Sequence, residues 1–312
     1  MTREQPTPIL GVQPRGSLNP RILSQLQRGM IVCPETRARL FLSADGRALV
    51  SGDGGRAYSV AAGGAPLLLE GAAEGDEFAS SSNMESEYSP EVVAGQGGVL
   101  ARVRNFLFND RRSENCRRAF REVFPEAGPD EVYLSVGGGP ARPSPHFTNL
   151  NIGPFPNVDI VADAHRLPYA DGAVDAIYCE AVLEHLYAPG RAVEEMHRVL
   201  KPGGKVFACT PFLQAYHGYP HHYQNYTVTG HQRLFSDRGF RVLEAGACVG
   251  PMYTWISLTQ ILLAEYAPAG RWLARAWLLV SAPLRALDAP ILRRESAHVM
   301  ASTTYLVAEK AP

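Results

Sequence analysis

Apolar positions change their spacing several times along the chain, and each change marks an element. Between residues 28 and 70 they form five short runs, at 30–34, 38–42, 48–50, 56–60 and 65–69, parted by Asp45-Gly46 and Asp53-Gly54-Gly55. Asp-Gly pairs accept the left-handed backbone of tight hairpins, so this stretch predicts a small β-rich unit. Residues 71–98 lose the periodicity and are rich in Gly, Ser, Glu and Ala. They read as a linker or, because Met84 and Tyr88 are odd residues to leave in water, as a lid. Helical spacing returns at Leu100, Val103, Phe106 and Leu107, then at Phe120, Val123 and Phe124. It predicts one or two helices packed on a sheet.

The most regular part of the chain runs from 131 to 211. Short apolar runs at 131–136, 147–152, 158–162, 173–179 and 205–209 suit buried strands. A helix over 189–200 places Ala192, Val193, Met196, Val199 and Leu200 on one face. Lys201-Pro202-Gly203-Gly204 stops that helix and returns the chain to a strand. Strand, helix, glycine turn and strand make a βαβ unit, hence a parallel sheet with ligands at the carboxyl ends of its strands. An aromatic, histidine-rich loop follows at 212–227, then a helix over 228–238 and a strand over 241–248. Residues 253–287 have helical apolar spacing broken by Glu265, Pro268, Arg271, Arg275 and Pro283. No run reaches the roughly 18 apolar residues of a spanning helix. Two amphipathic helices are expected there, as a cover on the substrate side or a homodimer surface, with peripheral membrane contact as the alternative. Residues 301–308 alternate like a closing strand.

Charge narrows the function classes. Thirty basic residues oppose 31 acidic ones for a net charge of −1, which leaves no electrostatic footprint for nucleic acid. The five cysteines show no C-x-x-C spacing, so neither a disulfide framework nor a zinc site is readable. Residues 1–27 are polar and Pro-rich without the apolar core of a signal peptide. They read as a mobile leader on a cytoplasmic, reduced protein.

Four motifs then occur in order. Gly137-Gly138-Gly139 follows the first strand of the sheet, and Asp163-Ala164 precedes Leu167-Pro168. Glu180-Ala181-Val182-Leu183-Glu184-His185 comes next, and the run Arg198 to Gly204 reads RVLKPGG. Over about residues 130–245 this order resembles the class I S-adenosylmethionine-dependent methyltransferases, type 11-like. The resemblance implies an α/β fold with a Rossmann-like seven-stranded sheet over 99–312, its last strand antiparallel, and S-adenosylmethionine as cofactor. It assigns cofactor binding to Val136, Gly137, Gly138, Gly139, Asn151, Ile152, Asp163, Ala164, Glu180 and His185. Ser135 and Asn151 stand where the family usually has carboxylates. The unit at 28–70 looks like the zinc-ribbon-derived domain found beside some methyltransferases. It keeps only Cys33, which implies a metal-free version.

The loop beginning Pro211-Phe212 and running through His217, His221, His222 and Tyr223 resembles a subgroup linked with polysaccharide and natural-product pathways. O-methylation of a small-molecule or glycan acceptor is the expectation, with His217 or His221 as base or acceptor ligand and Tyr223 lining the site. Histidine is the commonest base near neutral pH. Surface histidines without a role are the plain alternative. Magnesium is disfavoured because the loop lacks oxygen ligands. A non-catalytic scaffold and a cofactor-binding cyclase or isomerase on the same fold remain the rival functions.

Overall fold

The computed structural model describes residues 17–61, 63–69, 112–139, 142–218 and 221–312. The expected linker or lid at 71–98 and the helical spacing before residue 112 lie outside them. Eight strands form one sheet in the order β10-β11-β9-β8-β5-β6-β7-β4. They are β4 (Leu67–Leu68), β5 (Tyr133–Val136), β6 (Phe147–Asn151), β7 (Ile160–Ala162), β8 (Val174–Glu180), β9 (Leu200–Pro211), β10 (Phe240–Val249) and β11 (Thr303–Lys310). β11 runs antiparallel to both β9 and β10, while β4 to β9 are mutually parallel. Chain order reverses between β5 and β8, so their carboxyl ends flank the crevice where such sheets bind ligands.

Strand alternation builds a core on each face. From β8, Val174, Ile177 and Cys179 turn to one side and Ala176 and Tyr178 to the other. The first side is covered by α3 (Pro189–Val199), through Ala192, Val193, Met196 and Val199, and by α4 (Val228–Ser236), through Phe235. The second is covered by α2 (Glu114–Val123), where Phe120 and Phe124 meet Tyr178 and Phe207 mostly edge-on. Cys116, Cys209 and Cys248 also meet in this second core, fully buried. α3 ends where Lys201 was expected to end it, but β9 begins at once with Leu200, so the glycine turn belongs to the strand. The irregular pairing with β8 between Val174 and Ala176 accommodates that turn.

The N-terminal unit departs from its expected form. Only β1 (Leu40–Leu42), β2 (Ala48–Ser51) and β3 (Ala57–Ser59) make the small antiparallel sheet. β4 instead joins the large sheet beside β7, so the two units share one sheet. Helix α1 (Pro20–Gln27) occupies part of the expected mobile leader. Asn19 caps it, and Ile22 and Leu26 are buried in the core beneath the sheet. A Pro at the first turn and a spacing of four between those residues carry the helix.

Asp159 ties these parts together. Its buried carboxylate accepts from Asn19 Nδ2 at 2.7 Å and from the Asn149 N–H at 2.8 Å. Arg142 lies 3.0 Å and Arg21 3.5 Å away. Removing the carboxylate orphans a buried N–H and leaves two guanidinium groups facing each other. Asp159→Ala is therefore expected to destabilise the fold by about 3 kcal/mol in urea unfolding, and to make residues 17–27 sensitive to protease.

Candidate active site

The crevice starts at Gly137, whose φ of +73° is open to glycine but strained for other residues. A Cβ at this position would stand 2.2 Å from Val182 Cγ2. The loop after β5 is thus packed directly on the turn after β8. Glycine here serves that packing, besides any approach to a ligand. Gly139 also has positive φ, at +55°, and its carbonyl accepts from Asn149 Nδ2 at 2.9 Å. Beneath the loop, Ser135 Oγ is fully buried and has no hydrogen-bond partner. An orphaned hydroxyl beside main chain opened by glycines fits a polar ligand at this edge.

The other expected cofactor residues lie on the same edge of the sheet. Asn151 ends β6, buried, and its Oδ1 accepts from the Gly153 N–H at 3.3 Å, with Ile152 beside it in the turn. Asp163 follows β7. Its Oδ1 takes the His165 N–H at 2.9 Å and lies 2.7 Å from His165 Nδ1. Burial works to raise the Asp163 pKa, but the hydrogen bonds from His165 prevail and hold it below the ordinary value. The His165 ring stacks on Tyr187 at 4.3 Å. Ala164 is buried beneath the turn. Glu180, expected among the cofactor residues, is paired with Arg112 at 2.6 Å and bonded by the Tyr178 hydroxyl. A protein cation thus neutralises it.

Beyond Glu180 the chain passes through Ala181, whose φ of +53° is uncommon for alanine, into the single turn Leu183–His185. Strained backbone of this kind gathers at functional sites. The turn holds Glu184, which the sequence reading left without a role. Its side chain has no solvent exposure, Oε2 accepts from Thr210 Oγ1 at 3.3 Å, and Oε1 has no partner. Burial pushes its pKa up to about 7.

Two imidazoles face the unpartnered oxygen. His185 Nε2 is 3.8 Å and His217 Nε2 4.0 Å from Glu184 Oε1. Carbonyl oxygens only accept, which fixes the tautomers. His185 Nδ1 donates to the His221 carbonyl at 2.6 Å, and His217 Nδ1 donates to the Ala215 carbonyl at 3.0 Å. Each neutral ring therefore presents a bare Nε2 to Glu184. Burial lowers the His185 pKa first of all, which favours that neutral form.

The histidine loop is sewn onto the turn. The Tyr223 N–H donates to the Glu184 carbonyl at 2.8 Å, and Gln224 Nε2 to the Leu183 and Leu186 carbonyls at 2.8 and 3.0 Å. His221 enters through its main chain, and its side chain points to solvent, as does that of Tyr223. Of the two expected bases, the structure brings only His217 to the buried carboxylate. Glu184, His185 and His217 also offer ligand atoms within 4.8 Å of one another, so Glu184 supplies the oxygen that the loop lacks for a metal. Cys116, Cys209 and Cys248 form a second such group, wholly buried.

A model of the methyltransferase domain matches residues 143–208. An uncharacterised methyltransferase of Mycolicibacterium gilvum is 31% identical over 178 residues, 53% of this chain and 66% of that protein. Another, from Mycobacterium sp. (strain KMS), is 30% identical over 174 residues, 46% of this chain and 68% of that protein. A demethylmenaquinone methyltransferase of Renibacterium salmoninarum is 44% identical over 88 residues, 27% of this chain and 33% of that protein. The chain thus spans about two thirds of the length of the mycobacterial relatives and a third of the last. It belongs to the methyltransferase family, and S-adenosylmethionine is its cofactor.

The raised Glu184 pKa has a consequence for stability. Between the ordinary glutamate value and about 7 the folded protein holds a proton that the unfolded chain has lost. Stability is therefore fully present at low pH and falls as pH rises through that window. The loss should be on the order of 3 kcal/mol by pH 8. Urea midpoints from pH 5 to 8 should show this fall in the wild type and a flatter profile in Glu184→Gln.

Proposed function

We propose that the chain is an S-adenosylmethionine-dependent O-methyltransferase in which His217 takes the proton of a hydroxyl acceptor. The observation that carries this reading is the pair of bare Nε2 atoms facing an unpartnered, buried carboxylate oxygen. With Glu184 ionised, Oε1 and the two Nε2 atoms are all acceptors, so this group can receive a proton. His217 is the more exposed imidazole, and its side chain retains 39% of its accessible surface. It meets the acceptor from the solvent side. Once protonated at Nε2, its N–H lies beside Glu184 Oε1, and the carboxylate stabilises the imidazolium.

The bound cofactor supplies an electrophilic methyl group on a sulfonium. The main chain of Val136 to Gly139 and the Ser135 hydroxyl hold its amino-acid end. Asn151 and Ile152 meet the ribose, and Asp163 and Ala164 the adenine. Glu180, screened by Arg112, and His185 complete the wall between cofactor and acceptor. Alignment of hydroxyl and methyl supplies much of the rate, which suits a base fixed by two hydrogen-bonded loops. The acceptor is a small molecule or a glycan, flanked by the exposed rings of Tyr216 and Tyr223. The unit at 28–70 is a zinc-ribbon-derived accessory domain, and its extension of the sheet through β4 supports that reading.

A second reading has its own observation. Both imidazoles are oriented through Nδ1–H bonds to carbonyls, the usual arrangement around a ligating histidine. A divalent ion between Glu184, His185 and His217 would then lower the hydroxyl pKa in place of a free base. Metal analysis of the purified protein separates the two.

His217→Ala should lower turnover by roughly a hundredfold, with S-adenosylmethionine affinity unchanged in calorimetry. Asp163→Ala should weaken that affinity. Full activity in both His217→Ala and His221→Ala would remove the histidine base, and product without added methyl mass would remove methyl transfer itself.

A further inference from the structure

Helices α5 (Pro251–Tyr266) and α6 (Gly270–Ser281) are inserted between β10 and β11, with α7 (Asp288–Ile291) and two 3-10 turns behind them. β10 runs parallel to β9, so the insertion leaves the sheet at the carboxyl edge, where the histidine loop also lies. The two are joined. The Leu213 N–H donates to the Ala301 carbonyl at 3.3 Å and the Phe212 N–H to the Ser302 carbonyl at 2.8 Å. Gln214 Nε2 donates to Thr303 Oγ1 at 2.9 Å.

The insertion is firmly built at its root and apolar at its surface. Asp288 caps the start of α5 through the Met252 and Tyr253 N–H groups at 2.8 and 3.0 Å. Trp277 Nε1 bonds the Ile256 carbonyl at 3.0 Å, and Trp255 packs edge-on to Trp277. Yet 13 of the 20 large apolar side chains exposed among the described residues lie between 255 and 300. Leu262, Tyr266, Trp272, Leu279, Val280 and Val299 are each more than half exposed. A monomer surface rarely carries so concentrated a patch without a partner.

Charge decides which partner. Arg271, Arg275, Arg293 and Arg294 are exposed against Glu265 and Glu295, a basic rim on a chain whose net charge is −1. Arg275 stands 5.3 Å over the Trp272 ring. A two-fold contact would bring together four arginines and two glutamates from each copy, leaving an uncompensated excess of positive charge. An anionic bilayer matches both the apolar face and its rim, with Trp and Tyr at headgroup depth and arginines on phosphate. No helix among the described residues is long and apolar enough to cross a membrane, so any seating would be on its surface.

We infer that the α5–α6 face seats on an anionic membrane and presents the histidine loop to an acceptor carried by a lipid. The second half of this statement rests on the reading that the loop receives the acceptor. Exposed Val299 and Met300 lead directly into Ala301, whose carbonyl holds the histidine loop at Leu213, which ties the apolar segment to the loop.

Co-sedimentation of the full chain with phosphatidylcholine vesicles, with and without phosphatidylglycerol, tests this. Binding should require the anionic lipid and weaken with salt. Trp272→Glu together with Leu279→Glu should weaken it at least about tenfold, while calorimetric affinity for S-adenosylmethionine stays unchanged. Absence of binding to the anionic vesicles overturns the inference. So does light scattering that shows a wild-type dimer which these substitutions split, since the face would then be covered by a second copy. Methyl transfer to a water-soluble acceptor, measured alongside, reports on the histidine site independently of the membrane.

Discussion

A buried carboxylate with one unpartnered oxygen organises the crevice. Burying Glu184 is costly unless it keeps a proton or gains a cation, and Thr210 serves only one of its oxygens. The fold accepts that cost at the topological switch point, on a turn already strained at Ala181. Around this group the remaining pieces fall into place. Val182 presses the turn against Gly137, the Glu184 carbonyl fixes the histidine loop at Tyr223, and two imidazoles direct bare nitrogens to the free oxygen. The loop expected to hold a cofactor and the loop expected to hold an acceptor thus meet through one turn.

Much of the scaffold was legible because it repeats simple periods. Alternation along β8 and the four-residue spacing on α3 are set by burial, and RVLKPGG punctuates them with residues that backbone geometry demands. What escaped was chemistry that depends on distant partners. Glu184 reads with His185 as a polar pair between apolar residues, and its burial depends on Thr210 of β9 and Tyr223, far along the chain. Gln224 and Asn149 are ordinary amides until their carbonyl partners, far along the chain, are known. Glu180 was read as a cofactor contact, and its neutralising partner, Arg112, 68 residues away, could not be read from the sequence. His217 and His221 looked equivalent in sequence, and only the path of the loop separates them.

The N-terminal unit shows the same limit. Its hairpin turns were readable from Asp-Gly pairs, whereas the transfer of Leu67 and Leu68 to the large sheet was not. Two leucines carry no label for the sheet they extend. Edge strands need cover or a partner, and β4 provides one for β7. Asp159, taking bonds from α1 and β6 together, then makes the added unit part of the same folded body.

The account rests on which ring nitrogens of His185 and His217 carry protons. Long-range nitrogen–proton NMR on histidine-labelled protein at neutral pH reads this directly. The geometry predicts that both rings carry hydrogen at Nδ1 and leave Nε2 bare toward Glu184. A proton on Nε2 of His217 would give Glu184 a donor, fill the position meant for the acceptor's proton, and contradict the account.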